Sequence, residues 1–199
     1  DGQVLRRSVE GEWSVDQTPA AVELTDVWAA NPADIVVCGR AGTLLTSDGT
    51  AWHVVDTGLE DDLLAVSADD ADFLRIAVGA NGSSVVRQDG NWTNVPTNTA
   101  ATLRDVGVQS GDLAHAVGDG GTVLTFVGTF WQQSESGLSV DLAAISRNGR
   151  WVVGADGQMF QRKTTAATWV PVETPSLHSL TNLWVFSRFK QSDAVFVTG

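Results

Sequence analysis

The chain has 199 residues, with 24 Asp plus Glu against 12 Lys plus Arg, and a formal net charge of −12. Such a surface repels phosphate backbones and anionic lipids, whose affinity for proteins rests on neutralising Lys and Arg, so no nucleic-acid partner is expected. Apolar residues make up 43% of the chain, yet runs such as Ile35–Cys38 fall far short of the roughly 18 residues of a spanning helix, and no membrane insertion is expected.

Taken in chain order, the first segment reads Asp1-Gly2-Gln3-Val4-Leu5, then a hairpin turn at Val9-Glu10-Gly11-Glu12, then Trp13. The first full unit (21–60) opens with Leu24-Thr25-Asp26-Val27-Trp28. It continues through the apolar run Ile35–Cys38, the turn Gly39-Arg40-Ala41-Gly42, and a second turn Ser47-Asp48-Gly49-Thr50-Ala51 before Trp52. Asp-Gly between apolar segments is a strong hairpin signal, because glycine reaches the positive φ that tight turns demand. The second unit (61–100) repeats this order with Leu63–Ser67, Gly79–Gly82, Asp89-Gly90 and Trp92. The third (101–139) has Leu103–Gly107, Gly118–Gly121 and Trp131. The fourth (140–177) has Leu142–Ser146, Gly154–Gly157 and Trp169, with Thr165-Ala166-Ala167-Thr168 where a turn glycine would stand. The last segment holds Leu180–Trp184 and ends in Ala194–Gly199.

The five repeat tryptophans are spaced by 39, 40, 39 and 38 residues, and a leucine follows each at a distance of 11. A fixed connection between units is what stacking at a constant rotation requires. Four short strands in about 40 residues make one propeller blade. The expected fold is therefore all-β: one five-bladed β-propeller domain over 1–199, of four-stranded antiparallel blades. The closing blade is assembled from residues 178–199 and 1–20, so that N- and C-terminal strands share it, although that joint is one residue short of Gly-x-x-Gly. The five tryptophans are expected to pack between blades. The single cysteine, Cys38, permits no internal disulfide and reads as a buried apolar residue. The start at Asp1, with no basic-then-apolar leader, fits a mature form or an excised domain.

These repeats resemble those of the BNR/Asp-box superfamily, most closely the photosystem II assembly-factor-like propellers, with units of the form L-x-D-V-W, then A-V-G-x-x-G, then D-G-x-x-W. The likeness covers the whole chain, and Leu24 to Trp52 carries it best. The resemblance implies a propeller but fixes no function, since sialidases, receptors and assembly factors share it. Eighteen of the 24 acids are aspartates and only Lys163 and Lys190 are lysines, a bias similar to that of proteins from salt-loving archaea.

Sialidase chemistry needs a tyrosine nucleophile, and this chain has no tyrosine. Paired carboxylates in the central channel are the other route to glycoside hydrolysis, and the channel strands offer Asp26 and Asp105, with Asn182 at the matching place in the last unit. A solvated channel aspartate is the simpler account of both. Asp69, Asp70 and Asp72 form an acidic stretch able to hold calcium, but without the glycine-turned spacing of a dedicated loop. Asp34, Asp72, Asp112 and Asp193 recur ahead of the second strand and read as Asp turns. His53, His115 and His178 share no metal spacing, and no cofactor is expected.

Trp28 and Trp184 occupy one repeat position in units that ring closure would make neighbours. They would lie side by side near Asp26, Asn182, Phe186, Arg188 and Phe189, either forming a face suited to a sugar or a peptide side chain or packing both indoles downward as core. The leading expectation is a non-catalytic propeller, monomeric and extracellular or at the cell surface, that binds a protein or glycan through this face. A propeller-type glycoside hydrolase or lectin-like binder, and a structural domain of a larger surface protein, are the alternatives.

Overall fold

The computed structural model describes residues 2–69, 73–163, 168–186 and 194–199. Among them the only regular elements besides strands are short 3-10 turns, and no helix is long and apolar enough to cross a membrane. Blade one comprises β3 (Leu24–Asn31), β4 (Asp34–Gly39), β5 (Leu44–Ser47) and β6 (Trp52–Val54), each pairing antiparallel with the next. Blade two comprises β7 (Leu63–Ala68), β8 (Arg75–Gly79), β9 (Ser84–Gln88) and β10 (Asn91–Asn94). Blade three comprises β11 (Leu103–Ser110), β12 (Leu113–Gly118), β13 (Val123–Val127) and β14 (Phe130–Ser134). Blade four comprises β15 (Leu142–Ile145), β16 (Trp151–Gly154), β17 (Met159–Arg162) and β18 (Trp169–Val172). Two hairpins flank them, β1 (Gln3–Arg7) with β2 (Trp13–Gln17) and β19 (Asn182–Phe186) with β20 (Ala194–Thr198). The described strands thus form four complete blades and two half-blades, together the strand complement of five.

The core lies between blades. Strand residues alternate sides, so Val36, Cys38 and Leu44 of blade one meet Leu63, Val66, Ala77 and Val85 of blade two in one cluster. Blades two and three share Ile76, Val78, Val86, Val106, Leu124 and Phe126, and blades three and four share Val117, Val123, Leu142, Val152 and Phe160. Each such side chain, fully buried, contributes roughly 1.5–3 kcal/mol, and repetition of this layer substitutes for a single central core.

The Gly-x-x-Gly segments set the blade profile. Their last two residues are left-handed: Ala41 and Gly42 at φ +52° and +63°, Asn81 and Gly82 at +53° and +69°. A Cβ on Gly42 or Gly82 would overlap the carbonyl oxygen of Leu59 or Thr99, in the segment leading to the next blade, so only glycine fits. A hydroxyl secures the same joint in every unit, with Thr57 Oγ1 donating to the Gly42 carbonyl at 2.8 Å and Thr97 Oγ1 to that of Gly82 at 2.7 Å.

The two terminal hairpins keep the local geometry of half-blades. Thr18 Oγ1 donates to the Gly2 carbonyl at 2.6 Å, and a Cβ on Gly199 would overlap the Ser179 carbonyl as one on Gly39 would approach that of Glu23. They do not form the shared blade expected from the sequence. Each remains a two-stranded sheet docked on its own neighbour, through Gly2 N–H to the Val22 carbonyl at one end and Leu180 N–H to the Gly154 carbonyl at the other. In complete blades a covalent turn holds the second and third strands together, and no such link joins β20 to β1.

Candidate functional site

The first strand of every complete blade carries a register shift just after its leading leucine, at Leu24/Asp26, Leu63/Ala65, Leu103/Asp105 and Leu142/Ala144. Asp26 and Asp105 sit at this bulge in alternate blades. Asp26 Oδ1 accepts the N–H of Val27 and Oδ2 that of Val66, both at 2.8 Å. Asp105 does the same with Val106 at 2.8 Å and Ile145 at 2.7 Å. Each carboxylate therefore closes its own bulge and clips the bulge of the following blade, where alanine stands at the matching position. Burial pushes both acids up, Asp105 to about 7, against the opposing pull of these N–H groups. Between blades two and three Ser67 Oγ serves instead, accepting the Val108 N–H at 3.3 Å.

Trp28 is half-buried and packs on the junction of blades one and two. The Arg75 guanidinium lies 5.2 Å from its ring centroid and donates to both oxygens of Asp34 at 2.7 Å. Asp34, expected as a turn acceptor, is thus half of an inter-blade ion pair with a side chain only 5% exposed. Trp184 lies on the other hairpin. Its ring stacks on Phe186 at 5.8 Å and 18°, and meets Phe196 at 5.9 Å. Because the hairpins are not joined, Trp28 and Trp184 form no pair: one is an inter-blade wedge, the other part of an exposed aromatic face. Trp184, Phe186 and Phe196 are 60%, 44% and 61% exposed. Asn182 is exposed on the same strand, whereas Arg188 and Phe189 lie outside the described residues.

Asp69 is buried and accepts the Leu74 N–H at 2.9 Å, while Asp70, Asp72 and Asp193 lie outside the described residues. Among the described residues no group of three or more His, Cys, Asp or Glu could hold a metal ion. Cys38 is buried, which pushes its thiol up to about 12 and leaves it inert at neutral pH. His115 is also buried, its pKa lowered to about 4, under Gly149 and beside Thr125 Oγ1.

Two features escaped the sequence reading. The hydroxyls at Thr18, Thr57, Thr97, Ser136 and Thr174 each follow a repeat tryptophan by five residues, a fourth periodic marker that was available from spacing alone. Arg147 left no such signal. It occurs once, and donates to the carbonyls of Val108 at 2.8 Å and Ala68 at 3.1 Å, tying blade four to the first strands of two others.

Neither the protein-family models nor the curated proteins contain a match to this chain. Solved structures do match. YCF48 bound to a D1 peptide superposes with TM-score 0.65 at 16% identity, over 90% of this chain and 62% of that one. YCF48 from Cyanidioschyzon merolae superposes at 0.67 and 17% identity, over 98% and 71% respectively. The fold is a YCF48-like β-propeller. The chain spans 62% and 71% of those two propellers, so it superposes on an arc of a longer structure.

Proposed function

We propose that this chain is a non-catalytic propeller module that binds a segment of a partner protein on the aromatic face of β19 and β20. The observation carrying this reading is the stacked Trp184–Phe186 pair with Phe196, all at least 44% exposed on one side of a hairpin whose other side, through Leu183 and Val195, packs on blade four. Amphipathic aromatics in such a cluster offer large contact area at low entropic cost. The YCF48 structure with a bound peptide supports the kind of partner. Hydrolysis loses its support from Asp26 and Asp105, because all four of their oxygens already accept backbone N–H groups.

The test is selection from a displayed library of extended dodecapeptides, followed by titration of the selected peptides. Binding at least about tenfold weaker to a Trp184→Ser, Phe196→Ser variant is expected, with no hydrolysis of aryl glycosides by either protein. Peptides that bind the variant as tightly as the parent would place recognition elsewhere.

A further inference from the structure

The junction between the first hairpin and blade one carries charge at two repeat positions that are uncharged in the complete blades. On the third strand of blade two, Val86 is 1% exposed within the apolar cluster facing blade three. The matching position of β1 holds Arg6. On the fourth strands, Val55, Val95 and Val172 each follow the repeat tryptophan by three residues and pack on the cluster of the next junction. The matching position of β2 holds Asp16. The complete blades hold Thr46, Val86, Thr125 and Gln161 at the first of these positions, and Ser134 besides the three valines at the second, all uncharged; here Arg6 donates to Asp16 Oδ2 through Nε at 3.0 Å and Nη2 at 2.7 Å, and through Nη1 to the Pro32 carbonyl at 3.0 Å.

Those side chains are 30% and 24% exposed. A half-buried ion pair adds little net stability, because desolvation offsets the attraction. Arg6 and Asp16 line a cleft of about 490 Å³ together with Gln17, Ser47, Thr50 and Trp52, a volume within the range of small-molecule sites.

We propose that this cleft binds a neutral saccharide. Both guanidinium bonds to the carboxylate converge on Oδ2, and among the described residues nothing donates to Asp16 Oδ1 or bonds the Gln17 amide. These are an acceptor and a donor–acceptor pair of the kind that reads hydroxyl groups. The Trp52 indole supplies an apolar wall for the C–H face of a pyranose. A phosphate or carboxylate ligand would need a free cation, and Arg6 is committed to Asp16 and Pro32. The site lies on the opposite end of the chain from the aromatic hairpin and does not depend on peptide binding there.

The experiment titrates ¹⁵N-labelled protein with glucose, galactose, mannose, N-acetylglucosamine, maltose and cellobiose, following the amides of Val15–Gln17 and Ser47–Trp52. Saturable shifts confined to those amides are expected for at least one sugar. The double variant Arg6→Val, Asp16→Val installs the Val86 and Val95 pair of blade two. It should keep or raise the melting temperature and weaken binding by at least about tenfold, the loss expected when anchoring polar groups are removed. If no sugar in the panel moves those amides, or if the double variant binds as tightly as the parent, the assignment is wrong.

Discussion

Asp105 Oδ2 accepts the backbone N–H of Ile145 at 2.7 Å, forty residues along the chain and one blade further on. With Val106 on its other oxygen, this carboxylate fastens blade three to blade four, as Asp26 fastens blade one to blade two. The carboxylates first read as channel acids are structural clips.

The Asp105 clip carries a pH signature. Burial lifts its pKa from 3.8 to about 7, the two N–H groups opposing and the Asp26 charge adding to the rise. A folded-state pKa above the unfolded value means that the native state holds the proton more tightly. The contribution of this group is therefore complete below about pH 4 and lost as pH rises through about 7. Asp105→Asn removes the titration while leaving one backbone N–H short of an acceptor, at a cost of about 1–3 kcal/mol. In urea unfolding from about pH 4 to about pH 8, the parent should lose stability relative to the variant. Parallel pH profiles for the two proteins would contradict the shift.

Arg75 is the buried cation of the junction between blades one and two, held between Asp34 and the Trp28 ring. Arg75→Met strands the Asp34 carboxylate and should cost about 3 kcal/mol in urea unfolding, since removing one partner of a buried pair leaves an uncompensated charge. Adding Asp34→Leu should recover most of that loss. Arg75→Lys should not restore the parent value, because a point charge cannot reproduce the two parallel bonds at 2.7 Å. Equal losses in the single and double Arg75→Met variants would show that the pair is not the source.

Two glycines with similar backbone angles should respond unequally to alanine. Gly82 and Gly90 have φ of +69° and +86°, but a Cβ on Gly82 would overlap the Thr99 carbonyl, whereas one on Gly90 meets nothing within 4 Å. Gly90→Ala should cost about 1 kcal/mol, the strain of a left-handed alanine. Gly82→Ala adds the displacement of the connecting segment and should cost about 3 kcal/mol or more. Denaturation midpoints of the two variants test the difference, and near-equal values would mean that the Thr99 segment yields freely.

The blade pattern was legible because each marker answers to a local demand: Asp48, for instance, accepts the N–H groups of Thr50 and Ala51 at 2.8 and 2.9 Å to build its own turn. Ring closure was not local. Gly2 and Gly199 carry the signatures of a split Gly-x-x-Gly, yet whether two hairpins meet depends on the rotation accumulated over the five junctions between them, which no short motif encodes. The expected pairing of Trp28 with Trp184 depended on closure and did not form. Arg75 was equally hidden, because a single buried arginine has no period, and its partners Asp34 and Trp28 come from another blade.

The repeat tryptophans show how far one sequence mark can diverge in energy. Trp92, Trp131 and Trp169 pack toward the preceding blade: Trp131 is 4% exposed, meets Phe126 edge-on at 5.3 Å, and donates through Nε1 to Ser84 Oγ at 2.9 Å. Trp13 holds the same repeat position on β2 but is 68% exposed, because among the described residues no blade covers that side of the hairpin. Trp131→Ala should therefore cost about 3–5 kcal/mol, the range for emptying a large aromatic from a packed core. Trp13→Ala should stay within about 0.5 kcal/mol, as for an exposed surface position. Urea unfolding followed by far-UV circular dichroism, which does not rely on the altered indoles, measures both. A large loss at Trp13 would mean that something in solution covers the face of the first hairpin.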